Sequence, residues 1–382
     1  MKIVMIGQKG IPAIFGGIER HVEELSTRLV RLGVDVAVYC RRWYTGDRAY
    51  PGPVRRIFLP TLRTKHLDAI THTFLSTLHA IFVEKPDVIH YHGVGPSLVA
   101  WIPRIFSPRT RVVVTFHSLD RTHDKWGWFA RLMLRAGEWS ACRFADRTIA
   151  VSRHLTEYCL EVYSLEATYL PNGVTAFPAS TPAALTEWNL APGRFILFVG
   201  RLIRLKGVHT LVNAYRQLPA ELRNRYPLVV AGEACDTTYV RELTRLSRGA
   251  NVKFVGNQTG AALAALYRGA ALFTQPSECE SMPIVVLEAA GEGLPVIASD
   301  IAAHREVLGS DGIYFESKNV LELAATLQET LGNLEAARVH ARAVLAPRVN
   351  EAYSWERIAA DTKDVYLATA PMRAALAAHD EI

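Results

Sequence analysis

The chain has 382 residues, of which 49% are hydrophobic and 21% charged, and its formal net charge is +6. That length exceeds one typical core and favours two domains, and the apolar fraction is that of a globular protein. Five scattered cysteines without a C-x-x-C pair argue against a disulfide framework or zinc site and for a reducing compartment. The stretch before Gly7 is shorter than a signal peptide, and no apolar run approaches the roughly 18 residues of a spanning helix.

The first half alternates short β-branched runs with helical stretches, a pattern typical of parallel α/β sheets covered by helices. The best-marked helix is predicted from Ile18 to Leu32, because apolar residues recur there at helical spacing and Gly33 ends the pattern. The predicted strands are Lys2–Ile6, Val34–Cys40, Arg56–Leu59, Asp87–Tyr91, Arg111–Phe116, Arg147–Val151 and Ala167–Leu170.

A turn at Pro171–Val174 and a Pro- and Ala-rich stretch to about Pro192 form the predicted linker. The second series of strands is Phe195–Val199, Leu228–Ala231, Val252–Val255, Ala271–Thr274, Val296–Ala298 and Gly312–Phe315, followed by a helix from Ser354 to about Tyr366. We therefore predict a first domain over 1–178, a second over 179–353 and a C-terminal segment over 354–382. Two doubly wound halves of similar size imply a cleft, with ligands at the carboxyl ends of the strands.

Two glutamates, Glu280 and Glu288, are separated by seven residues after one of these strands. Ser281 and Pro283 are expected to begin a helix whose first-turn N–H groups bind anionic oxygens, and the carboxylates accept hydrogen bonds from sugar hydroxyls. The pattern suits a polyhydroxylated ligand that carries a diphosphate. An ordinary capped amphipathic helix also fits it.

This segment resembles the E-x7-E signature of retaining nucleotide-sugar glycosyltransferases of the large family numbered four, which have the GT-B fold. The resemblance implies an α/β protein with two doubly wound Rossmann-like domains that face a cleft. It also implies that the C-terminal helix of residues 354–382 crosses back onto the first domain. Family members usually carry Gly-Phe-Gly after the first glutamate, where this chain has Ser281-Met282-Pro283. The departure bears on the identity of the donor sugar more than on the class of reaction.

The second domain opens with a strand that ends in Gly200-Arg201, followed by Lys206-Gly207 before a new helix. Arginine offers a planar fork and lysine a point charge, and both suit the charge that develops on a departing diphosphate. Two solvated cations in a loop are the alternative. The block resembles the family's G-R-x4-K-G motif, in which this pair binds phosphate.

A glycine-rich loop over 7–19 joins the first strand to the first helix without the G-x-G-x-x-G spacing of a dinucleotide site. The amides of Gly16 and Gly17 are expected at a helix start, where they suit an anion, although a turn without ligand also fits. The family has a Gly-Gly pair here beside the donor diphosphate and the acceptor. The longer form with Gly10-Ile11-Pro12 resembles a subgroup that includes rhamnosyltransferases of surface polysaccharides.

His117 follows the strand Arg111–Phe116 at its carboxyl end, where ligands belong. A neutral imidazole there can bond a sugar hydroxyl or help polarise the reacting centre, and family members carry a functional histidine at this position; a structural histidine is the alternative. His90 and His92 resemble metal-ligand spacing only weakly, and contact with an acceptor or plain packing is favoured for them. The chain has no Asp-x-Asp, so we predict no metal site.

Positive charge is concentrated in residues 1–178, which carry 23 Lys and Arg against 15 Asp and Glu, whereas the remainder carries 20 against 22. Basic residues mixed with interfacial aromatics suit an anionic membrane surface, although a solvated basic surface fits equally. No nucleic-acid recognition motif appears, so no nucleic-acid partner is expected. The cluster comprises Arg41, Arg42, Arg48, Arg55, Arg56, Arg63 and Lys65, with Trp43 and Tyr44 among them.

Together with the resemblance, these features imply transfer of a sugar from a nucleoside diphosphate sugar, with anomeric retention and without cofactor or metal, to a lipid-linked or oligosaccharide hydroxyl in cell-surface polysaccharide assembly. A cytoplasmic protein on the inner face of the cytoplasmic membrane is expected. The expected catalytic residues are Glu280, His117, Arg201 and Lys206. The expected donor-binding residues are Gly16, Gly17, Gly200, Arg201, Lys206, Glu280, Ser281, Met282, Pro283, Ile284 and Glu288. A nucleotide-sugar epimerase of the same fold and a non-catalytic sugar-nucleotide binding protein at the membrane are the alternatives.

Overall fold

A computed structural model describes residues 1–46, 48–64, 67–119, 127–179 and 183–369. The chain divides into two compact units, one of Met1–Asn172 together with the chain from Trp355 onward, the other of Gly173–Ser354. The first division therefore falls six residues before the predicted one. The helix after Ser354 belongs to the first unit.

The first unit contains a seven-stranded parallel sheet in the order β3-β2-β1-β4-β5-β6-β7. Its inner strands are buried on both faces, which explains their continuous apolar runs. Every strand predicted from the sequence is present, with ends that differ by one residue at most. The strands are β1 Lys2–Ile6, β2 Asp35–Cys40, β3 Arg55–Phe58, β4 Val88–His92, β5 Arg111–Phe116, β6 Arg147–Ala150 and β7 Thr168–Tyr169.

Helices join these strands as crossover connections. The predicted helix from Ile18 is confirmed, and Val22, Leu25 and Leu29 are its buried stripe. The helices are α1 Gly17–Arg31, α2 Arg42–Thr45, α3 Asp68–His79, α4 Ile102–Phe106, α5 Trp128–Phe144 and α6 Arg153–Tyr163, with a π-helical turn at Ala80–Glu84 and a 3-10 turn at Pro96–Val99.

The second unit contains a six-stranded parallel sheet in the order β10-β9-β8-β11-β12-β13. Its strands also lie where the sequence predicts them: β8 Ile196–Val199, β9 Leu228–Ala231, β10 Val252–Gly256, β11 Leu272–Gln275, β12 Val296–Ser299 and β13 Ile313–Phe315. Its helices are α7 Ala183–Thr186, α8 Val208–Gln217, α9 Ala220–Arg225, α10 Thr237–Leu246, α11 Gly260–Gly269, α12 Ile284–Gly291, α13 Ala302–Leu308, α14 Val320–Gly332, α15 Leu334–His340 and α16 Ala346–Ala352.

Each sheet has one point where the strand order reverses, between β1 and β4 in the first unit and between β8 and β11 in the second. Crevices at such points, outside the carboxyl ends of the strands, are where open α/β sheets bind ligands. The two predicted α/β doubly wound domains are therefore confirmed, and each has one expected ligand position.

The last described helix, α17 (Trp355–Ala368), returns to the first unit and packs along α1. Trp355 and Tyr366 are fully buried there, and Arg28 of α1 pairs with Glu356 at 2.9 Å. This agrees with the predicted C-terminal helix that crosses back onto the first domain. Among the described residues, every helix is too short or too polar to cross a bilayer.

Candidate active site

In the second unit, two loops meet the reversal point of the sheet. The loop that carries Gly200 and Lys206 leaves β8, and the loop that carries Glu280 leaves the neighbouring strand β11. Parallel pairing places both strand ends at one edge. The two motifs that the sequence identified separately, 74 residues apart, are thus brought into contact.

Lys206 donates a hydrogen bond to the Oε1 atom of Glu280, and both side chains are largely buried. Burial by itself would raise the pKa of Glu280. The charge and hydrogen bond of Lys206 oppose this, with further hydrogen bonding from Ser277, and the pKa of Glu280 lies below its ordinary value. Glu280 is therefore an ionised carboxylate, and among the described residues its ion-pair partner is Lys206.

A polar network that the sequence analysis missed holds Glu280 in place. Ser277 donates to Glu280 Oε1 at 2.8 Å, and Gln275 donates to the Ser277 hydroxyl at 2.9 Å. Ser299 in turn donates to the backbone carbonyl of Ser277. Ser277 lies three residues before Glu280, next to the E-x7-E segment, whereas Ser299 lies at the end of β12 and is brought to the site only by the sheet order.

His304 is a second missed residue of this site. Its Nδ1 lies 2.8 Å from the carbonyl of Ser299, while its Nε2 is buried and has no hydrogen-bond partner among the described residues. Burial lowers the pKa of His304, although the nearby charge of Glu280 raises it in part. A neutral imidazole with a free Nε2 lone pair can accept a hydrogen bond from a ligand hydroxyl.

Two glycines allow close backbone approach around this edge. A Cβ on Gly207 would overlap the carbonyl of Pro276, and a Cβ on Gly232 would overlap the carbonyl of Gly200. Gly207 also has a φ of 66°, which disfavours other residues. Arg201 is exposed, and its side chain has no ion pair with any described residue, so its guanidinium is accessible to a ligand.

The helix after Glu280 begins later than the sequence suggested. Helix α12 starts at Ile284, and Pro283 occupies the N-cap position with an extended backbone and no side-chain cap. Ser281 lies outside the helix, so its predicted role in starting it is wrong. The physical reason is that a residue before proline is disfavoured in helical conformation, which keeps Met282 and Ser281 out of the helix.

Glu288 lies in α12 and is 3% exposed. Tyr267 of α11 donates a hydrogen bond to its Oε2 at 2.9 Å. Met282 and Pro283 are buried, and Ile284 is half-buried. The predicted contact of Glu288 with ribose hydroxyls stays a prediction, and Tyr267 is the residue that positions this carboxylate.

In the first unit, the glycine-rich loop enters α1 with Gly16 at the N-cap position and a φ of 104°. A methyl group at Gly16 would overlap the carboxylate of Glu19, which folds over the helix start. Lys9 neutralises that carboxylate, with its backbone N–H at 3.0 Å and its Nζ at 3.4 Å. An anion bound at Gly16 and Gly17 would therefore meet Glu19, and Lys9 is the cation that the sequence analysis missed.

Three buried histidines from different elements form a cluster in the same unit. His92 ends β4 and its Nδ1 lies 3.2 Å from Nε2 of His117, which follows β5. His21 of α1 stacks edge-on against His117, with ring centroids 4.7 Å apart. The Nε2 atoms of His21 and His92 have no partner among the described residues. These two buried atoms are the hydrogen-bonding groups of the cluster that the described residues leave unsatisfied.

Burial keeps the imidazoles of this cluster neutral. Burial lowers the pKa of His21 to about 4 against the opposing hydrogen bond of Asn172, and it holds the pKa of His92 and His117 well below the ordinary 6.5. The coordinating nitrogens lie within 4.8 Å of one another, and this is the one group among the described residues that could hold a metal ion. The same neutral nitrogens can accept hydrogen bonds from sugar hydroxyls.

Residues far apart in sequence support the cluster. His21 hydrogen-bonds Asn172 at 2.8 Å and packs against Trp355 of α17, with ring centroids 5.3 Å apart. His90 bridges Tyr366 of α17 and Thr115 of β5, each at 2.7 Å. His90 is therefore a satisfied buried residue, and the plain packing role considered for it fits.

The predicted basic and aromatic cluster over 41–65 is engaged within the unit in part. Arg41 is buried and pairs with Asp68 at 2.7 Å, and the indole of Trp43 donates to the same carboxylate at 2.9 Å. Tyr44 is buried, and its hydroxyl accepts a hydrogen bond from the backbone N–H of Ile14 in the glycine-rich loop. Arg55 pairs with Glu84. Lys65 lies outside the described residues. Arg41 and Tyr44 therefore hold the fold, whereas Arg42, Arg48, Arg55 and Arg63 are exposed, and the membrane contact expected of the cluster stays a prediction.

Comparison with known proteins decides the family. Residues 15–176 match the family model described as Glycosyltransferase Family 4, and residues 188–343 match the model described as Glycosyl transferases group 1. This chain belongs to the GT-B glycosyltransferases. The expectation drawn from the E-x7-E and G-R-x4-K-G motifs is confirmed at that level.

Individual relatives of this glycosyltransferase align over nearly the whole chain. Glycogen synthase from Mycobacterium tuberculosis is 29% identical over 405 residues, covering 96% of this chain and 95% of that protein. Sucrose-phosphate synthase from Thermosynechococcus elongatus has a similar structure, with a TM-score of 0.79, 24% identity and 99% of each chain covered. Anabaena HepE in complex with UDP and glucose matches with a TM-score of 0.78, 19% identity, and 96% and 99% covered. The two structures support the fold alone.

Proposed function

We propose that this glycosyltransferase moves a hexosyl or deoxyhexosyl group from a nucleoside diphosphate sugar to a hydroxyl of a lipid-linked or oligosaccharide acceptor, with retention at the anomeric carbon. The observation that carries the proposal is the ion pair of Lys206 with Glu280 at the reversal point of the second sheet. It joins a cation suited to phosphate to a carboxylate suited to sugar hydroxyls.

In this reaction the bond between the anomeric carbon and the phosphate oxygen breaks, and its electron pair leaves with the nucleoside diphosphate. A bond forms from the acceptor oxygen to the anomeric carbon on the same face. The acceptor proton passes to the departing phosphate. The demand on the protein is to stabilise negative charge on the leaving group, which Lys206 and Arg201 would meet.

Glu280 would hold the donor sugar by accepting hydrogen bonds from its hydroxyls, and Glu288 would do so for the ribose. No covalent intermediate on Glu280 is needed, since its tight pairing with Lys206 makes it a weak nucleophile. His117 would bind a hydroxyl as a neutral imidazole, which its lowered pKa favours.

Uracil is the base proposed first for the donor nucleotide, because the structurally similar Anabaena HepE forms a complex with UDP and glucose. A deoxyhexose such as rhamnose is the alternative sugar, supported by the extended glycine-rich loop at Gly10-Ile11-Pro12. Assembly of a surface polysaccharide at the cytoplasmic face of the membrane, without a metal or cofactor, belongs to the same proposal.

The test is a panel of UDP-, GDP- and dTDP-sugars incubated with the protein, with and without a membrane-lipid extract or soluble oligosaccharides. We expect acceptor-dependent release of one nucleoside diphosphate together with a glycosylated product that has the donor's anomeric configuration by NMR. Epimerised donor without transfer would indicate the epimerase. Donor binding without nucleotide release would indicate a binding protein, and either result would overturn the proposal.

A further inference from the structure

Helix α5 of the first unit presents an exposed stripe of aromatic, leucine and arginine side chains. Trp128 is 79% exposed and Trp139 is 52% exposed, and Leu132 lies between them at helical spacing. Arg135 and Arg143 are exposed on the same stripe. We call this set the α5 stripe. Large aromatic side chains this exposed are unusual on a protein surface and indicate an interaction site.

The stripe contains no carboxylate. The one acidic residue of α5, Glu138, is fully buried on the opposite side of the helix. Tyr158 and Tyr163 of α6 donate hydrogen bonds to it at 2.7 and 3.0 Å. The exposed face of α5 is therefore apolar and positively charged, whereas the buried face carries the only negative charge.

The apolar surface continues from α5 onto two neighbouring segments. Trp139 packs against Phe144, whose backbone carbonyl accepts a hydrogen bond from Arg104 of α4 at 2.6 Å. Phe106 of α4 is exposed and its ring lies 6.2 Å from that of Phe82, which is also exposed. Exposed Ile105 and Val83 complete this extension, so the apolar surface spans three elements.

We propose that the α5 stripe and its extension dock this protein on a bilayer that contains anionic lipids. Tryptophan and phenylalanine bury in the interfacial region of a bilayer, and arginines beside them are attracted to anionic headgroups. The exposed side chains of the stripe are tryptophan, leucine and arginine, so its charge is wholly positive and complements an anionic lipid surface.

This surface differs from the basic cluster over 41–65, in which Arg41 and Arg55 are paired with carboxylates of the unit. We assign charge complementarity to the membrane to α5 and its neighbours, where Arg109 and Lys85 are exposed as well. The inference does not depend on the transfer reaction, since vesicle binding requires neither donor nor acceptor.

The experiment measures sedimentation of the full chain with vesicles of phosphatidylcholine alone and with vesicles of equal parts phosphatidylcholine and phosphatidylglycerol. We expect strong binding only to the anionic vesicles, weakened by salt. A Trp128→Ser/Trp139→Ser variant should lower the partition coefficient at least about ten-fold, and an Arg135→Ser/Arg143→Ser variant should do so for anionic vesicles.

Matched control variants remove exposed apolar side chains or exposed arginines from the second unit. These are Leu321→Ser/Val339→Ser for apolar surface and Arg241→Ser/Arg245→Ser for charge, and both should bind as the unsubstituted protein does. Thermal melting checks that every variant is folded. Donor turnover with a soluble acceptor, measured on the same samples, separates loss of docking from loss of transfer.

Failure of the unsubstituted protein to bind anionic vesicles would overturn the proposal. Equal binding by the unsubstituted protein and both stripe variants would also overturn it. Self-association in solution that the tryptophan variant abolishes, without vesicle binding, would assign the surface to a second copy of this chain instead.

Discussion

Lys206 donates a hydrogen bond to Glu280, and this pair lies where the strand order of the second sheet reverses. The cation is therefore already neutralised before any ligand arrives. A diphosphate that binds there must share Lys206 with a carboxylate that is held by its own hydrogen bonds from Ser277 and Gln275. The pair links donor binding to the stability of the second unit.

The first prediction concerns nucleotide affinity. Lys206→Ala should weaken binding of the preferred nucleoside diphosphate about ten- to hundred-fold, since a charge-assisted hydrogen bond contributes about 1.5–3 kcal/mol. Calorimetric titration with UDP, GDP and dTDP measures it. Lys318→Ala is the control, because Lys318 is an exposed cation of the same unit whose one ion pair in the described part of the chain is with Glu278. An unchanged affinity in Lys206→Ala would remove Lys206 from the site.

The second prediction concerns the stability of the protein when the buried carboxylate of Glu280 loses its cation. Lys206→Ala leaves the carboxylate of Glu280 buried without its cation, so the melting temperature at pH 7 should fall, by an amount equivalent to about 3–5 kcal/mol. Lys206→Ala/Glu280→Gln should be more stable than Lys206→Ala alone. Equal stability of the two variants would mean that Glu280 is not held as a buried anion by Lys206.

The same pair predicts a pH dependence. The pKa of Glu280 is lowered in the folded protein, so its contribution to stability is present above the ordinary pKa of 4.5 and is lost as the pH falls below it. In Lys206→Ala burial dominates and the pKa of Glu280 rises, so the deficit of this variant should shrink as the pH is lowered from 7 towards 4. Melting temperatures measured across that range test the sign. A deficit that stays constant with pH would contradict it.

A further prediction concerns α17. Tyr366 hydrogen-bonds His90 at 2.7 Å in a fully buried position, so Tyr366→Phe leaves a buried nitrogen without a partner. The free energy of unfolding should fall by about 1–3 kcal/mol, and the melting temperature by about 3–8 °C. Leu367→Ala, an exposed change on the same helix, should have little effect. A Tyr366→Phe protein as stable as the original would show that α17 does not support the histidines.

Much of the fold follows from the sequence because its strands are buried on both faces. Apolar runs such as Lys2–Ile6 and Leu228–Ala231 are therefore continuous, and their observed ends match the predicted ones. The motifs after β8 and β11 were also recognisable. They could be expected to lie close together, because the carboxyl ends of neighbouring parallel strands meet at one edge of the sheet.

What the sequence did not predict depends on partners distant along the chain. From the sequence alone Arg41 is indistinguishable from a surface cation, and only the fold places Asp68 against it. His21 likewise looks like an ordinary helix residue, and only the fold brings Asn172 and Trp355 into contact with it. The start of α12 was misjudged for a local reason, since Pro283 restricts Met282 before it.

The predicted independence from metals is tested by chelation. Transfer should persist unchanged in EDTA, because cationic side chains rather than a metal ion would neutralise the diphosphate. If the reaction did depend on a metal ion, the ion would be expected at His21, His92 and His117, the described residues that could hold one. Activity that is lost in EDTA and restored by zinc would overturn this prediction, and loss of that activity in His21→Asn would assign the ion to the histidine cluster.

The central claim is that Lys206, Glu280 and Arg201 act on the departing diphosphate and the sugar it carries. The most direct measurement is kcat/KM for acceptor-dependent nucleotide release, with the donor that the panel identifies, in Lys206→Ala, Glu280→Ala and Arg201→Ala. The account predicts a loss of about a hundred-fold or more in each, with folded proteins by thermal melting. Near-normal turnover in all three variants would contradict it.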